Sequence, residues 1–394
     1  MVLALEQPLR RVVNLLLYGK DPYQVLRVAT VLVLLLRVYR KLRRVLLREG
    51  LKAYVLNAVA PYLKRLPPVR RQLDAEMVKT VGSLAKEFGK ELTSPRSRLG
   101  PEGMDISELT ELMDRRLELD TKHWMEGKVT GTVYHGGKEH CDFISKIYAG
   151  WSFSNPLHPA VFPALRQMDA EVIRMVINMY NGSEECCGAF TTGGTESILM
   201  AMKAYRDWGR ERGISEPNIV TCVTAHAAFD KAGKYFCMDV RKARARPDTQ
   251  ELDLRHLARL IDGNTVAIVG SCCQYPHGTI DPIEAMAKLA LRRSVGLHVD
   301  CCLGGFLYPF MEKAGFPTPV CDFRVPGVTS ISVDAHKYGF APKGASTVLF
   351  SNRELRRHMY CFMTEWTGGI YATATMTGSR AGGPVAATWA SMCK

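Results

Sequence analysis

From Gly103 onward the apolar residues come in short β-rich runs, and longer amphipathic stretches lie between several of them. The runs are CGAFT (Cys187–Thr191), NIVTCV (Asn218–Val223), TVAIVGS (Thr265–Ser271), VGLHVD (Val295–Asp300) and VTSISV (Val328–Val333). Segments such as ESILMAMKAYRDWG (Glu196–Gly209) and PIEAMAKLALRR (Pro282–Arg293) carry a helical spacing. Alternation of this kind predicts βα units around a mostly parallel sheet, an α/β fold. In such sheets ligands bind beyond the carboxyl ends of the strands. No internal repeat or low-complexity tract interrupts the pattern.

The first hundred residues read differently. VLRVATVLVLLL (Val25–Leu36) is the most apolar run, and RVYRKLRRVLLR follows it. Twelve residues are too few to cross a bilayer, which takes about 20 in a helix. Extending the run to Val13–Tyr39 takes in Lys20, Asp21 and Arg27, and Arg27 is costly inside a membrane. No small-residue cleavage site follows the run, so it fits a signal peptide poorly. Three readings stay open: a short span, an interfacial helix, or a basic helix packed on its own body. Membrane association through residues 1–45 is the expectation. If the run spans, Arg37, Arg40, Lys41, Arg43, Arg44 and Arg48 outweigh Arg10, Arg11 and Lys20 and put the body in the cytosol. If it lies flat, the same cluster can bind anionic headgroups. Residues 46–103 read as a linker with helical pieces, and turn-rich SPRSRLGPEG (Ser94–Gly103) marks the boundary of a catalytic domain over 104–375.

Charge supports this division. The chain carries a net +13, and an apolar fraction of 47% suits a globular protein. Residues 1–98 hold 20 Lys/Arg against 7 Asp/Glu, while the remaining 296 hold 32 of each. The body is therefore balanced, and its charge count implies no nucleic-acid surface. Twelve cysteines include three adjacent pairs but no C-x-x-C and no zinc-ligand spacing. Buried thiols in a reducing compartment are expected, and no metal.

Candidate chemistry follows the strands. TTGGTES (Thr191–Ser197) joins a strand to a helix. It is either a phosphate cradle of Gly193, Gly194 and Thr195 or an ordinary glycine turn with a threonine cap. His226 in TAHAAFDKA is a helix-start residue or an imidazole face for stacking. Asp300, ending HVD, could bind metal, cap a helix or hold a ring N–H; His298 reads as a satisfied core histidine. In VDAHKYG, His336 and Lys337 lie just past a strand. A lysine there, in a partly dry pocket, is expected to have a lowered pKa and to be a nucleophile. Lys343, in a P-K-G turn, better suits an anion contact. A phosphate cradle, a stacking ring, an acid and a lysine together are the set pyridoxal phosphate needs.

SNPLHPAVFPALRQMDAE, TTGGTESILMAMKAYRD, QYPHGTIDP, HVDCCLGGFL, EKAGFP, VTSISVDAHKYGFAPKGAS and TGGIYATATMTGSRAGG closely resemble the sphingosine-1-phosphate lyase family. The likeness covers about residues 105–394. It implies a fold-type-I pyridoxal-phosphate enzyme, related to glutamate and aromatic amino-acid decarboxylases. It also implies retro-aldol cleavage of a phosphorylated sphingoid base to a long-chain aldehyde and phosphoethanolamine. By motif, Lys337 would carry the cofactor, Asp300 face its pyridine nitrogen and His226 stack on its ring. Gly194, Thr195 and His336 would contact its phosphate, with Gly378 and Ser379 doing so from a partner subunit of a homodimer. Tyr134 and Tyr275 match active-site tyrosines, Asn155 and His158 would line the site, and His158 and Lys343 are candidates for the substrate phosphate. The resemblance places the chain at the endoplasmic reticulum membrane, its catalytic domain facing the cytosol.

Two features depart from the family. Cys301 stands where a small residue such as alanine is usual. The chain ends 57 residues after Lys337, where these enzymes place a small C-terminal domain. Residues 376–394 are expected to begin that domain, with most of it missing. The competing functions are an amino-acid decarboxylase using the same lysine and aspartate, and an inactive, membrane-anchored remnant.

Overall fold

The computed structural model describes residues 98–394 and, before them, residues 62–88 and parts of 21–60. The chain divides into two compact units, Met1–Leu99 and Gly100–Lys394. In the first, residues 26–35 are helical with exposed side chains, and a second helix spans Pro67–Phe88. Among the described residues no helix is long and apolar enough to cross a membrane. The flanking basic residues Arg10, Arg11, Lys20, Arg37, Arg40, Lys41, Arg43, Arg44 and Arg48 lie outside the described residues.

The second unit is built on a seven-stranded sheet in the order β1-β7-β6-β5-β4-β2-β3. Its strands are β1 (Cys187–Thr191), β2 (Asn218–Cys222), β3 (Asp239–Ala243), β4 (Thr265–Ser271), β5 (Gly296–Asp300), β6 (Ser330–Val333) and β7 (Ser346–Phe350). The pairs β2–β3, β2–β4, β4–β5 and β5–β6 are parallel; β7 runs antiparallel to both β1 and β6. β1, β2, β4, β5 and β6 therefore all run one way and deliver their carboxyl ends to one edge. A separate hairpin pairs β8 (Cys361–Met363) with β9 (Tyr371–Thr373).

Burial explains the runs. All seven residues of β4 and all five of β1, β2 and β5 are buried. Continuous apolar strands need cover on both faces, and helices supply it. Helix Gly194–Glu211 packs under β7, β6 and β4, and helix Ile283–Arg293 on β4 and β5. Each fully buried Val, Leu or Ile stabilises the fold by about 1.5–3 kcal/mol. Asp253 starts helix Leu254–Leu260 by accepting from the backbone of Arg255 and His256 at 2.9 and 3.0 Å.

The five strands expected from sequence are all present, with ends shifted by up to two residues. β3, β7 and the hairpin are additions. β3 carries Arg and Lys among its five residues, and β7 follows the glycine turn of Pro342–Gly344, which masks it as loop. Helix Gly383–Cys393 folds back onto helices Lys138–Gly150 and Pro163–Met179. Its Val385 is buried beside Leu165, Val172 and Phe190, and Trp389 Nε1 donates to Glu171 at 2.5 Å.

Candidate active site

The shared strand edge gathers the candidate chemistry around two cavities. The larger, about 470 Å³, is lined by Gly193, Gly194, Thr195, His226, His336 and Lys337, among others. The smaller, about 170 Å³, is lined by Tyr134, His226, Tyr275, Asp300, Cys302 and Lys337. His226, Cys302 and Lys337 belong to both, so Lys337 stands at their junction.

The larger cavity opens on the start of helix Gly194–Glu211, where Gly193 is the N-cap and no side chain caps the first turn. A chain of hydroxyls pins this end: Thr191 to Ser197 at 2.6 Å, Ser197 to Ser346 at 2.7 Å, and Ser346 to the Val333 carbonyl at 3.1 Å. These bonds tie the helix to β1, β7 and β6. Gly194 is required by space. A Cβ there would lie 2.7 Å from both carboxylate oxygens of Asp334 and 2.8 Å from Cys302 Sγ. Buried Glu196 accepts from Thr192 N and Oγ1 at 2.6 and 2.7 Å, and from Met376 N at 2.8 Å. It thereby fastens the segment that carries Met376 and Thr377 to the cavity wall.

Lys337 lies four residues past β6. Its Nζ is 2.9 Å from Asp334 Oδ2, and His336 Nε2 is 3.6 Å from the same oxygen. Asp334 Oδ1 and His336 Nδ1 are buried without a partner. This corrects the expected lowered pKa of Lys337. Burial does push it down, but the Asp334 carboxylate, Cys302 and Asp300 outweigh burial and hold it above the ordinary lysine value. Lys343 is the lysine with the lowered pKa, through burial and then the Lys337 charge. Its Nζ sits 5.0 Å over the Tyr134 ring. Burial raises the Tyr134 pKa, with Lys337 opposing.

Asp300, the last residue of β5, is 6% exposed and accepts from Cys302 N at 3.0 Å and Ser332 Oγ at 3.2 Å. Register brings Ser332 beside it on β6. His226 Nδ1 accepts from Ala228 N at 3.0 Å, which places the proton of a neutral ring on Nε2. His298 is fully buried, with Nδ1 paired to Ser330 at 2.7 Å and Nε2 to Ser332 at 3.2 Å. It is a core histidine.

Asn155, His158, Lys343, Gly378 and Ser379 line neither cavity. Asn155 Oδ1 accepts from Leu157 N at 3.0 Å and Arg380 N at 3.4 Å, which groups its turn with the segment of Gly378 and Ser379. Asp334 and Glu196 escaped the sequence reading. Asp334 had a signal, an acid three residues before the lysine in the same turn. Glu196 had a weaker one, its place four residues after Thr192.

The residues fit pyridoxal phosphate. An uncapped helix start and a glycine cradle suit its phosphate, unpartnered buried atoms on Asp334 and His336 face the same space, and Lys337 stands between that cradle and Asp300. Fold and site thus define a pyridoxal-phosphate-dependent enzyme scaffold, and residues 97–370 match the Pyridoxal-dependent decarboxylase conserved domain.

More specific likenesses follow. The chain is 44% identical over 335 residues to sphingosine-1-phosphate lyase of Drosophila melanogaster, covering 84% of this chain and 61% of that protein. It is 39% identical over 381 residues to the enzyme of that name from Arabidopsis thaliana, covering 94% and 69%. The solved structure of a Burkholderia pseudomallei sphingosine-1-phosphate lyase superposes with a TM-score of 0.75 at 40% identity, covering 78% of this chain and 72% of that one. The chain belongs to the sphingosine-1-phosphate lyase family. It spans about three fifths of the length of the Drosophila relative, 61%.

Proposed function

We propose that this chain binds pyridoxal phosphate through Lys337 and cleaves phosphorylated long-chain bases of the sphingosine 1-phosphate type between C2 and C3. The products are a long-chain aldehyde and phosphoethanolamine. The carrying observation is the place of Lys337, at the junction of a cavity that ends in a glycine cradle and one that ends in Asp300.

When bound, pyridoxal phosphate supplies an aldehyde that joins amines and a ring that takes up the electron pair of a breaking bond. Gly194, Thr195 and His336 hold its phosphate, His226 covers its ring, and Asp300 keeps a proton on its nitrogen. Lys343 pairs with the substrate phosphate, helped by His158, and Asn155 borders the substrate. The C3 hydroxyl must lose a proton as the C2–C3 bond breaks, and C2 must gain one afterwards. Tyr134 and Tyr275 are the groups for that traffic. Tyr134 is held as a neutral phenol by its raised pKa, which fits a relay that carries a proton better than a standing base.

Gly378 and Ser379 act on the cofactor of a second copy in a homodimer. In the single chain their segment is held to the Asn155 turn by Arg380 N, which donates to Asn155 Oδ1 at 3.4 Å. The exposed leucines and valines of residues 26–35 support contact with a membrane, that of the endoplasmic reticulum on this reading, where the substrate's tail resides.

The test is product analysis. The chain is loaded with pyridoxal phosphate and given a phosphorylated long-chain base, and then amino acids. Aldehyde and phosphoethanolamine in equal amounts support the proposal. Carbon dioxide from an amino acid, with no aldehyde from the base, would replace it with a decarboxylase.

A further inference from the structure

We propose that Asp334 is the positioning residue of Lys337: its carboxylate aims the amine into the junction of the two cavities and holds it as the unreactive ammonium until the cofactor enters. This deepens the function proposed above and rests on it for the identity of the cofactor.

Asp334 is 3% exposed and directly follows β6. One oxygen holds Lys337 Nζ at 2.9 Å, and the other is buried with no partner. A buried carboxylate with a free oxygen is expensive unless a cation stays beside it or it becomes protonated. The groups facing the pair are His336 on the same turn, Asp300 at the end of β5, Cys302 just past it, and Lys343 and Tyr134. Asp334 lies within salt-bridge distance of both His336 Nε2, at 3.6 Å, and Lys337 Nζ, at 2.9 Å. Gly194 leaves room for the carboxylate against the helix start.

The step balances without further reagents. The Lys337 ammonium gives one proton to solvent. The free amine adds to the aldehyde carbon, and water leaves with the aldehyde oxygen and the two remaining amine hydrogens as the carbon–nitrogen double bond forms.

The experiment uses the full chain freed of cofactor. Lysines are acylated with the N-hydroxysuccinimide ester of acetic acid from pH 7 to 10, and the Lys337 and Lys343 peptides are quantified by mass spectrometry. In the wild type, Lys337 should react more slowly than Lys343. Asp334→Asn should raise the Lys337 rate at pH 8 severalfold, because the carboxylate that favours the ammonium is gone, and raise that of Lys343 much less. It should also move the pH profile of pyridoxal phosphate attachment, read by borohydride trapping, toward acid. An unchanged Lys337 rate in a folded variant overturns the proposal. If the variant does not fold, the wild type decides: after ¹³C reductive methylation, the Lys337 resonance should titrate above that of Lys343, and the reverse order refutes it. Neither readout on the free chain involves cofactor or substrate, so failure here is distinct from failure of the proposed function.

Discussion

His298 stands within β5 and His336 just past the neighbouring strand β6, and the two have opposite surroundings. His298 lies within β5, and serines on β6 pair both of its ring nitrogens. His336 lies three residues past β6, and its Nδ1 is buried and unpaired, as is Oδ1 of the adjacent Asp334. Other polar groups packed against the sheet are closed as well: Tyr205, on helix Gly194–Glu211, reaches Thr329 and Ser330, and Asp281, past β4, accepts from two backbone N–H groups. Asp334 and His336, past β6, are left open. Buried polar atoms are ordinarily satisfied, so the open ones mark where a ligand completes the structure.

The sharpest test of the contrast falls on its open side. Lys337→Ala should abolish the borohydride-fixed cofactor adduct and cut aldehyde formation by at least about a thousandfold, the scale of losing a covalent catalyst. Lys343→Ala should keep the adduct. An adduct that survives Lys337→Ala and vanishes in Lys343→Ala would reverse the roles of the two lysines.

On the closed side, Asp281 is 1% exposed and accepts from Leu252 N at 3.0 Å and Ser271 N at 2.9 Å. Asp281→Ala strands both donors, and each buried orphan costs about 1–3 kcal/mol. Burial raises the Asp281 pKa to about 6, so ionising it at neutral pH already costs some stability, and truncation returns that part. The net loss should be about 1–3 kcal/mol by urea denaturation at pH 7. A loss under about 1 kcal/mol would mean that water replaces the carboxylate and that this part of the interior is not closed.

These two predictions also show which parts of the molecule were legible beforehand. The apolar strands and the lysine of the VDAHKYG turn were, because their signals are local: a run of β-branched residues, then a chemical group at its end. Asp334 was quoted within the motif and given no role, because its importance lies in the 2.9 Å contact with Lys337 and an unpaired oxygen. Glu196 binds Met376 N across 180 residues, and no local pattern announces such a partner. β7 was hidden for a similar reason. Its run STVLF gains meaning as a strand only when it is inserted antiparallel between β1 and β6.

The next test uses acid. Burial lowers the His298 pKa from 6.5 to about 4. Between those values the unfolded chain holds a proton that the folded chain lacks, so unfolding takes up a proton. The His298 contribution is complete above about pH 6.5 and is lost as pH falls toward 4, by about 3 kcal/mol in all. Asp281 acts in the opposite sense between about pH 4 and 6, because its raised pKa makes unfolding release a proton. The measurement is therefore a difference. The stability of the wild type minus that of His298→Gln should fall by about 3 kcal/mol from pH 7 to pH 4. A flat difference would mean that the folded protein can protonate His298, and the closed interior would then be open to acid at that site.

The smallest effect belongs to Tyr205→Phe. The Tyr205 hydroxyl lies 2.7 Å from Thr329 Oγ1 and 2.6 Å from Ser330 Oγ, and its ring is fully buried. Removing one oxygen leaves the packing intact. Thr329 keeps its bonds to the Leu297 backbone, and Ser330 keeps His298 Nδ1 at 2.7 Å. No donor or acceptor is left without a partner, so the cost should be that of an ordinary net hydrogen bond, about 1 kcal/mol. The value of the experiment lies in comparison with Asp281→Ala. Both remove polar atoms from the interior, but one strands its partners and the other does not. If Tyr205→Phe costs as much as Asp281→Ala, redundancy does not protect the network, and the count of hydrogen bonds broken, instead of partners left unpaired, governs stability inside this sheet.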